Sequence, residues 1–103
     1  MTTNLDPTVQ IHLSHLLGDQ KTAIKPVERA YWLVIATRDA MLAGCREAEL
    51  LNCIGALGSL EEAELPDSRE ILDNITRSDY QSVEQRSARY LGLAEDINEA
   101  RYA

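Results

Sequence analysis

The sequence has few basic residues, with ten lysines and arginines against seventeen aspartates and glutamates. The resulting net charge is −7 and the isoelectric point lies near 4.7. Nonspecific binding to nucleic acid or to an anionic membrane depends on an excess of positive charge. We therefore predict that the protein binds neither nucleic acid directly nor membranes.

Long apolar runs are also missing. The most apolar stretch, residues 30–45, carries Arg38 and Asp39 at its middle. It is shorter than the roughly 20 residues that cross a bilayer as a helix. The first residues lack the basic region and apolar run of a secretory signal. These absences predict a cytoplasmic protein.

Only two cysteines are present, Cys45 and Cys53. On one helix their separation along the axis would be about 12 Å, whereas a disulfide needs Cα atoms within roughly 7 Å. That geometry excludes an intrachain disulfide and predicts buried, reduced thiols. An intermolecular disulfide stays open if either thiol is exposed.

Motifs for catalysis or cofactor binding are absent. His12 and His15 are three residues apart, but neither CxxC nor HExxH accompanies them, as a zinc site would require. The sequence has no Glu-x-x-His pair of a di-iron bundle, no Gly-rich phosphate loop and no histidine near a cysteine. We predict that the protein is not an enzyme and needs neither a metal nor a cofactor.

What the sequence does contain is helical periodicity. The apolar fraction is 45% and the charged fraction 26%, as in ordinary globular domains. We find no strand of convincing length and no internal repeat. The pattern predicts one all-α domain over residues 1–103, a compact bundle of four to five helices with a central apolar helix and a long C-terminal helix.

The central helix is predicted over residues 26–43, opened by Pro26. Residues 46–60 are also helical in pattern, and one rod across both would be about 58 Å long, too long for a domain of this size. We predict a break between Gly44 and Arg46, with a break near Gly55–Gly58 as the alternative.

Three more helices complete the bundle. A short one follows Asp6 and Pro7, and another follows Pro66, where Asp67 and Glu70 have capping-box spacing. Ser78 and Gln81 repeat that spacing, so the last helix is predicted over residues 79–101.

The last helix carries an apolar seam with alternating spacings of three and four, as at helix–helix interfaces. Aromatic residues are common interface anchors. We predict a homodimer through the faces of the long helices, overlapping the surface that binds a partner. The predicted interface residues are Tyr31, Trp32, Tyr80, Val83, Arg86, Arg89, Tyr90, Leu93 and Ile97.

Arg86 and Arg89 have no acidic residue three or four positions away on their own helix. Residues 61–73 contain six acids and one base. The two arginines are therefore expected to pair either with this acidic segment of the same chain or with another chain.

These observations favour a noncatalytic regulatory or adaptor protein that binds another protein, of the inhibitor, anti-activator or chaperone type. The first alternative is an acidic nucleic-acid mimic, which would display the carboxylates of residues 61–73. A small enzyme and a helix-turn-helix DNA binder are further alternatives, although the predicted recognition helix has a net negative charge.

Overall fold

The computed structural model describes residues 24–78 and 80–102, and 83% of these residues are helical with no strand among them. The prediction of an all-α bundle is therefore confirmed. The helix predicted after Asp6 and the histidines His12 and His15 lie outside the described residues. The four helices are α1 (Pro26–Leu42), α2 (Arg46–Glu62), α3 (Pro66–Arg77) and α4 (Val83–Arg101).

The predicted break between the first two helices is confirmed at Gly44. Its φ of +75° is a left-handed conformation that glycine adopts without a steric penalty. The amide of Cys45 reaches back to the carbonyl of Ala40 at 2.9 Å, which closes the end of α1 in a Schellman-type turn. The alternative break near Gly55–Gly58 is wrong, because both glycines lie inside α2.

The turn after α2 repeats this geometry without a glycine. Glu64 has a φ of +59°, and the amide of Leu65 donates to the carbonyl of Leu60 at 3.0 Å. Pro66 then occupies the first turn of α3, where its missing amide hydrogen costs nothing. Asp67 lies in that first turn and not at the cap, so the predicted Asp67–Glu70 capping box is wrong.

The last helix begins four residues later than its first capping signal predicts. Ser82 is the N-cap, and its hydroxyl and the side chain of Gln85 form a reciprocal capping box. Ser78 instead donates its hydroxyl to the carbonyl of Asn74 at 2.6 Å, at the end of α3. The predicted box of Ser78 and Gln81 is therefore wrong, although the helix ends at Arg101 as expected.

Each helix packs against two others in cyclic order. Helix α1 contacts α2 and α4, and α3 contacts the same two helices from the other side. Arg29 pairs with Glu62, which joins the start of α1 to the end of α2. Glu28 pairs with Arg101, which joins the start of α1 to the end of α4. These contacts show that α1 runs antiparallel to both neighbours, as in an up-and-down bundle.

The core contains side chains from all four helices. Gly55 allows α2 to approach α1 closely, since a Cβ atom there would lie 3.3 Å from a methyl carbon of Leu33. Burial of such side chains is the main stabilising contribution, about 1.5–3 kcal/mol for each large one. The buried apolar residues are Ala30, Leu33, Val34, Met41, Cys53, Ala56, Leu60, Leu72, Ile75, Tyr90, Leu93, Ala94 and Ile97.

Candidate protein-binding surface

The buried face of α2 carries a carboxylate in the interior of the bundle. Glu49, Cys53, Ala56 and Leu60 follow one another at spacings of four, three and four, so they share one face. Glu49 is 1% exposed, although it is the only acidic side chain among the buried residues of the described chain. An ionised carboxylate at such depth requires partners.

Glu49 finds its partners on α4, diagonally across the bundle. One carboxylate oxygen accepts a hydrogen bond from Arg86 and another from the hydroxyl of Tyr90 at 2.5 Å. Its other oxygen accepts from Arg46 at 3.0 Å, one turn earlier on α2. The Nε atom of Arg86 is buried and has no hydrogen-bond partner in the described part of the chain.

Thr76 extends this network to α3. Its hydroxyl lies 3.1 Å from the Tyr90 hydroxyl and 3.2 Å from the Cys53 sulfur. Burial raises the pKa of Tyr90 above its ordinary value, and the hydrogen bond to Glu49 raises it further. Burial likewise raises the pKa of the Cys53 thiol, which keeps it protonated and unreactive. The network thus links three helices, and its Tyr90 phenol and Cys53 thiol stay protonated at neutral pH.

The exposed face of the same helix is apolar. Leu50, Leu51 and Ile54 are 40%, 63% and 66% exposed, and they adjoin one another at helical spacing. Gly58 continues this face by one turn, and nothing lies within 4 Å of the position that a Cβ atom would occupy there. We call Leu50, Leu51, Ile54 and Gly58 the outer face of α2.

Acidic side chains stand at both ends of the outer face. Glu47 precedes it by about one turn and Glu61 follows it, and both are exposed. Neither forms an ion pair or a side-chain hydrogen bond within residues 24–78 and 80–102. The outer face is therefore an apolar strip with unneutralised negative charge at each end.

A second cluster joins the start of α1 to the end of α4. Arg101 donates two hydrogen bonds to the carboxylate of Glu28, at 2.9 and 2.7 Å, and its guanidinium stacks 4.4 Å from the ring centre of Tyr31. The hydrogen bond to Arg101 lowers the pKa of Glu28, and the same contact raises the pKa of Arg101. Trp32 donates to Glu28 at 3.2 Å and meets Tyr31 edge-on. Of the two predicted anchors, Tyr31 thus contacts Arg101 of α4 within one chain, and the ring of Trp32 lies 6.0 Å from the same guanidinium.

The apolar and aromatic residues of the interface predicted on the last helix divide into two groups. Tyr90, Leu93 and Ile97 are buried in the core of the single chain, so they cannot anchor a partner as exposed residues in this fold. Tyr80 and Val83 are exposed at the other end of the seam.

The two predicted arginines do not pair with the acidic segment 61–73. Arg86 pairs with Glu49, and Arg89 donates to the side chains of Gln81 at 2.8 Å and Ser78 at 3.4 Å. Their partners are therefore within the chain but at other positions than expected. Glu49 lies 37 residues from Arg86, a separation at which no helical spacing rule operates.

The outer face of α2 is not evident from the sequence, because Leu50, Leu51 and Ile54 fit the periodicity of a core stripe. One signal was present. Residues 50–60 are apolar on nearly all sides of the helix, and a helix at the edge of a small bundle cannot cover every side.

Other site types find little support in the described residues. No group of three metal-binding side chains occurs among residues 24–78 and 80–102. The prediction of buried thiols holds at Cys53 and is wrong at Cys45, which is exposed at the turn between α1 and α2 and is therefore the thiol accessible to a second chain. No helix of the described chain is both long and apolar enough to cross a membrane.

Comparisons with protein-family profiles, with curated protein sequences and with solved structures give no match. A functional assignment therefore depends on the geometry of the chain itself.

Proposed function

We propose that this protein is a noncatalytic regulator or adaptor that binds another protein through the outer face of α2. The observation that supports this proposal is the exposure of Leu51 and Ile54 at 63% and 66%, beside the partly exposed Leu50. Contiguous exposed apolar side chains on a regular helix are typical of protein-binding sites. Burial of three such side chains would contribute on the order of 5 kcal/mol to association.

The rigidity of α2 also supports the proposal. The side of the helix that faces inward is held by Glu49 and Cys53 through hydrogen bonds to α3 and α4. A preorganised surface binds with little ordering cost, so more of the contact energy remains as affinity. Regulators that occlude a target and chaperones that cover an apolar surface both need such a preformed face.

The proposal predicts that two charges on the outer face abolish binding without unfolding the protein. We would compare affinity capture from the native host by the wild-type chain and by Leu51→Asp/Ile54→Asp, quantified by mass spectrometry. A matched control is Leu91→Asp, because Leu91 is an apolar side chain on α4 with 39% exposure. Partners retained by the control and lost by the double variant would support the proposal. Capture of the same partners by the double variant and by the wild type would refute the proposal.

An acidic nucleic-acid mimic remains the second candidate function. Glu61, Glu64, Asp67 and Glu70 are exposed and form no ion pair within the described residues. A complex made by these carboxylates would weaken steeply with added salt, whereas one made by the outer face would persist. Salt titration of the captured complex separates the two functions.

The homodimer stays a prediction, although part of the face that predicts it is buried within one chain. Tyr90 and Ile97 are 0% exposed in the single chain. Light scattering after size exclusion tests it, since a monomer has a mass of 11.5 kDa and a dimer twice that value.

A further inference from the structure

We infer that the partner presents an amphipathic helix with an apolar stripe and basic residues at both ends of that stripe. This inference rests on the proposed function, because it names the partner that the outer face of α2 would bind. It is supported by the shape of the face, by the charges at its ends and by the consequences of pairing it with a second copy.

The shape of the outer face fits a helix. From Glu47 to Glu61 the face is about 21 Å long, or roughly four turns, at 1.5 Å per residue. It is one helix wide, and helices pack by setting the ridges of one into the grooves of the other. Gly58 has open space above its Cα atom, so a side chain of the partner can approach the α2 backbone there.

The charges at the two ends of the outer face indicate the sign of the charge on the partner. Glu47 and Glu61 are exposed and lack a cationic partner within the described residues, in a chain with a net charge of −7. A helix with lysine or arginine beside its apolar stripe would neutralise both carboxylates, whereas an acidic helix would be repelled. Glu62, by contrast, is already paired with Arg29.

A second copy of this chain fits the outer face poorly. If two outer faces packed antiparallel, Glu47 of each copy would approach Glu61 of the other. If they packed parallel, each glutamate would approach its own equivalent. Like charges meet in both arrangements, and like charges at helix interfaces are unfavourable.

The test uses a phage-displayed library of helical peptides of about 15 residues, long enough to cover the face. The library is selected on the full chain and counter-selected on Leu51→Asp/Ile54→Asp. We expect enriched peptides to carry apolar residues at helical spacing, with lysine or arginine at both ends of the apolar stripe. We expect Glu47→Lys/Glu61→Lys to weaken the best peptide by about tenfold or more.

The outcomes distinguish this inference from the proposed function. Peptides that require Leu51 and Ile54 but show no basic preference, and bind Glu47→Lys/Glu61→Lys equally, would overturn the inference alone. A selection that yields no peptide dependent on Leu51 and Ile54 would overturn both.

The occupant of the face is identified by crosslinking in the full chain. Leu51 is replaced by the photoreactive amino acid benzoylphenylalanine, and crosslinked products are mapped by mass spectrometry with and without the selected peptide. A crosslink to the peptide supports the inference. A crosslink to a second copy, or to residues 1–23 of the same chain, that the peptide does not displace would overturn it.

Discussion

Each of the two sides of α2 departs from the usual distribution of polarity at two positions. Its inner side places the carboxylate of Glu49 and the hydroxyl of Ser59 among buried groups, while its outer side exposes Leu51 and Ile54. Folding alone would favour the opposite arrangement, because buried charge is costly and exposed leucine forgoes its transfer energy. The inner side therefore needs partners within the bundle, and the outer side is the surface on which the proposed function rests.

The inner side tolerates the charge of Glu49 because both oxygens of the carboxylate accept hydrogen bonds. Arg86, Tyr90 and Arg46 all donate to Glu49, so the charge is distributed over several hydrogen bonds. The arrangement is still imperfect, since the buried Nε of Arg86 has no acceptor in the described part of the chain. An intact network of this kind contributes little to the stability of the protein. Removal of one member destabilises the protein strongly, because a buried charge is left without its partner.

The largest expected effect follows from removal of the carboxylate. Glu49→Ala leaves Arg86 as a buried charge without its counterion, so we expect the free energy of unfolding to fall by about 3–5 kcal/mol. Urea denaturation followed by circular dichroism measures the loss. Glu47→Ala, on the exposed side of the same helix, is the matched control. A loss below about 1 kcal/mol in Glu49→Ala would contradict the buried ion pair.

An apolar truncation on the inner side tests its packing. Leu60 is 0% exposed, so Leu60→Ala should lower the free energy of unfolding by about 3 kcal/mol through lost burial and a cavity. Thermal and urea denaturation should agree on this loss. A value close to zero would show that the inner side is not packed as described.

The Tyr90 hydroxyl should contribute less than the carboxylate that it binds. Tyr90→Phe removes one buried hydrogen bond to Glu49, and we expect a loss of about 1–2 kcal/mol at neutral pH. Because folding raises the pKa of Tyr90 above its ordinary 10.0, the unfolded chain loses this proton first. The stability of the wild type should therefore fall as pH rises above 10.0.

Alkaline denaturation separates this contribution from general effects of high pH. Stability measured by urea between neutral pH and pH values above 10.0 should decline more steeply in the wild type than in Tyr90→Phe. Identical slopes in the two proteins would show that Tyr90 is not held as a buried phenol.

The smallest expected effect is on the outer side. Ile54→Ala removes a side chain that is 66% exposed, so the free energy of unfolding should change by no more than about 0.5 kcal/mol. Beside Leu60→Ala, this measurement compares the two sides of α2 directly. A loss comparable with that of Leu60→Ala would mean that the outer side is covered in the free protein, and the comparison would fail.

Local signals in the sequence predicted the helices well. Pro26 marks the start of the first helix and Gly44 marks its end. Each acts through its own backbone conformation, so both limits can be predicted from single residues. The start of α4 is predicted four residues too early, because two serines carry the same local signal. Ser78 and Ser82 each precede a glutamine by three residues, but the hydroxyl of Ser78 donates to the carbonyl of Asn74 at the end of α3, whereas that of Ser82 caps α4.

The candidate site could not be predicted in the same way. Which side of α2 faces inward depends on the fit of Glu49 to Arg86, and that contact forms only when the bundle closes. The apolar residues of α2 occupy most of its circumference, so periodicity does not select one side. General rules place a glutamate outside and a leucine inside, and at Glu49 and Leu51 both rules fail.

The diagonal link between Glu49 and Arg86 also sets an axial registry. Apolar helices can slide past one another at modest cost, since one leucine contact replaces another after a turn of about 5.4 Å. Arg86 and Tyr90 are one turn apart on α4, so a slide of one turn would leave at most one of them opposite Glu49 and would break their joint contact with the carboxylate. The contact therefore selects one axial register of α2 against α4 among several that apolar packing alone would allow.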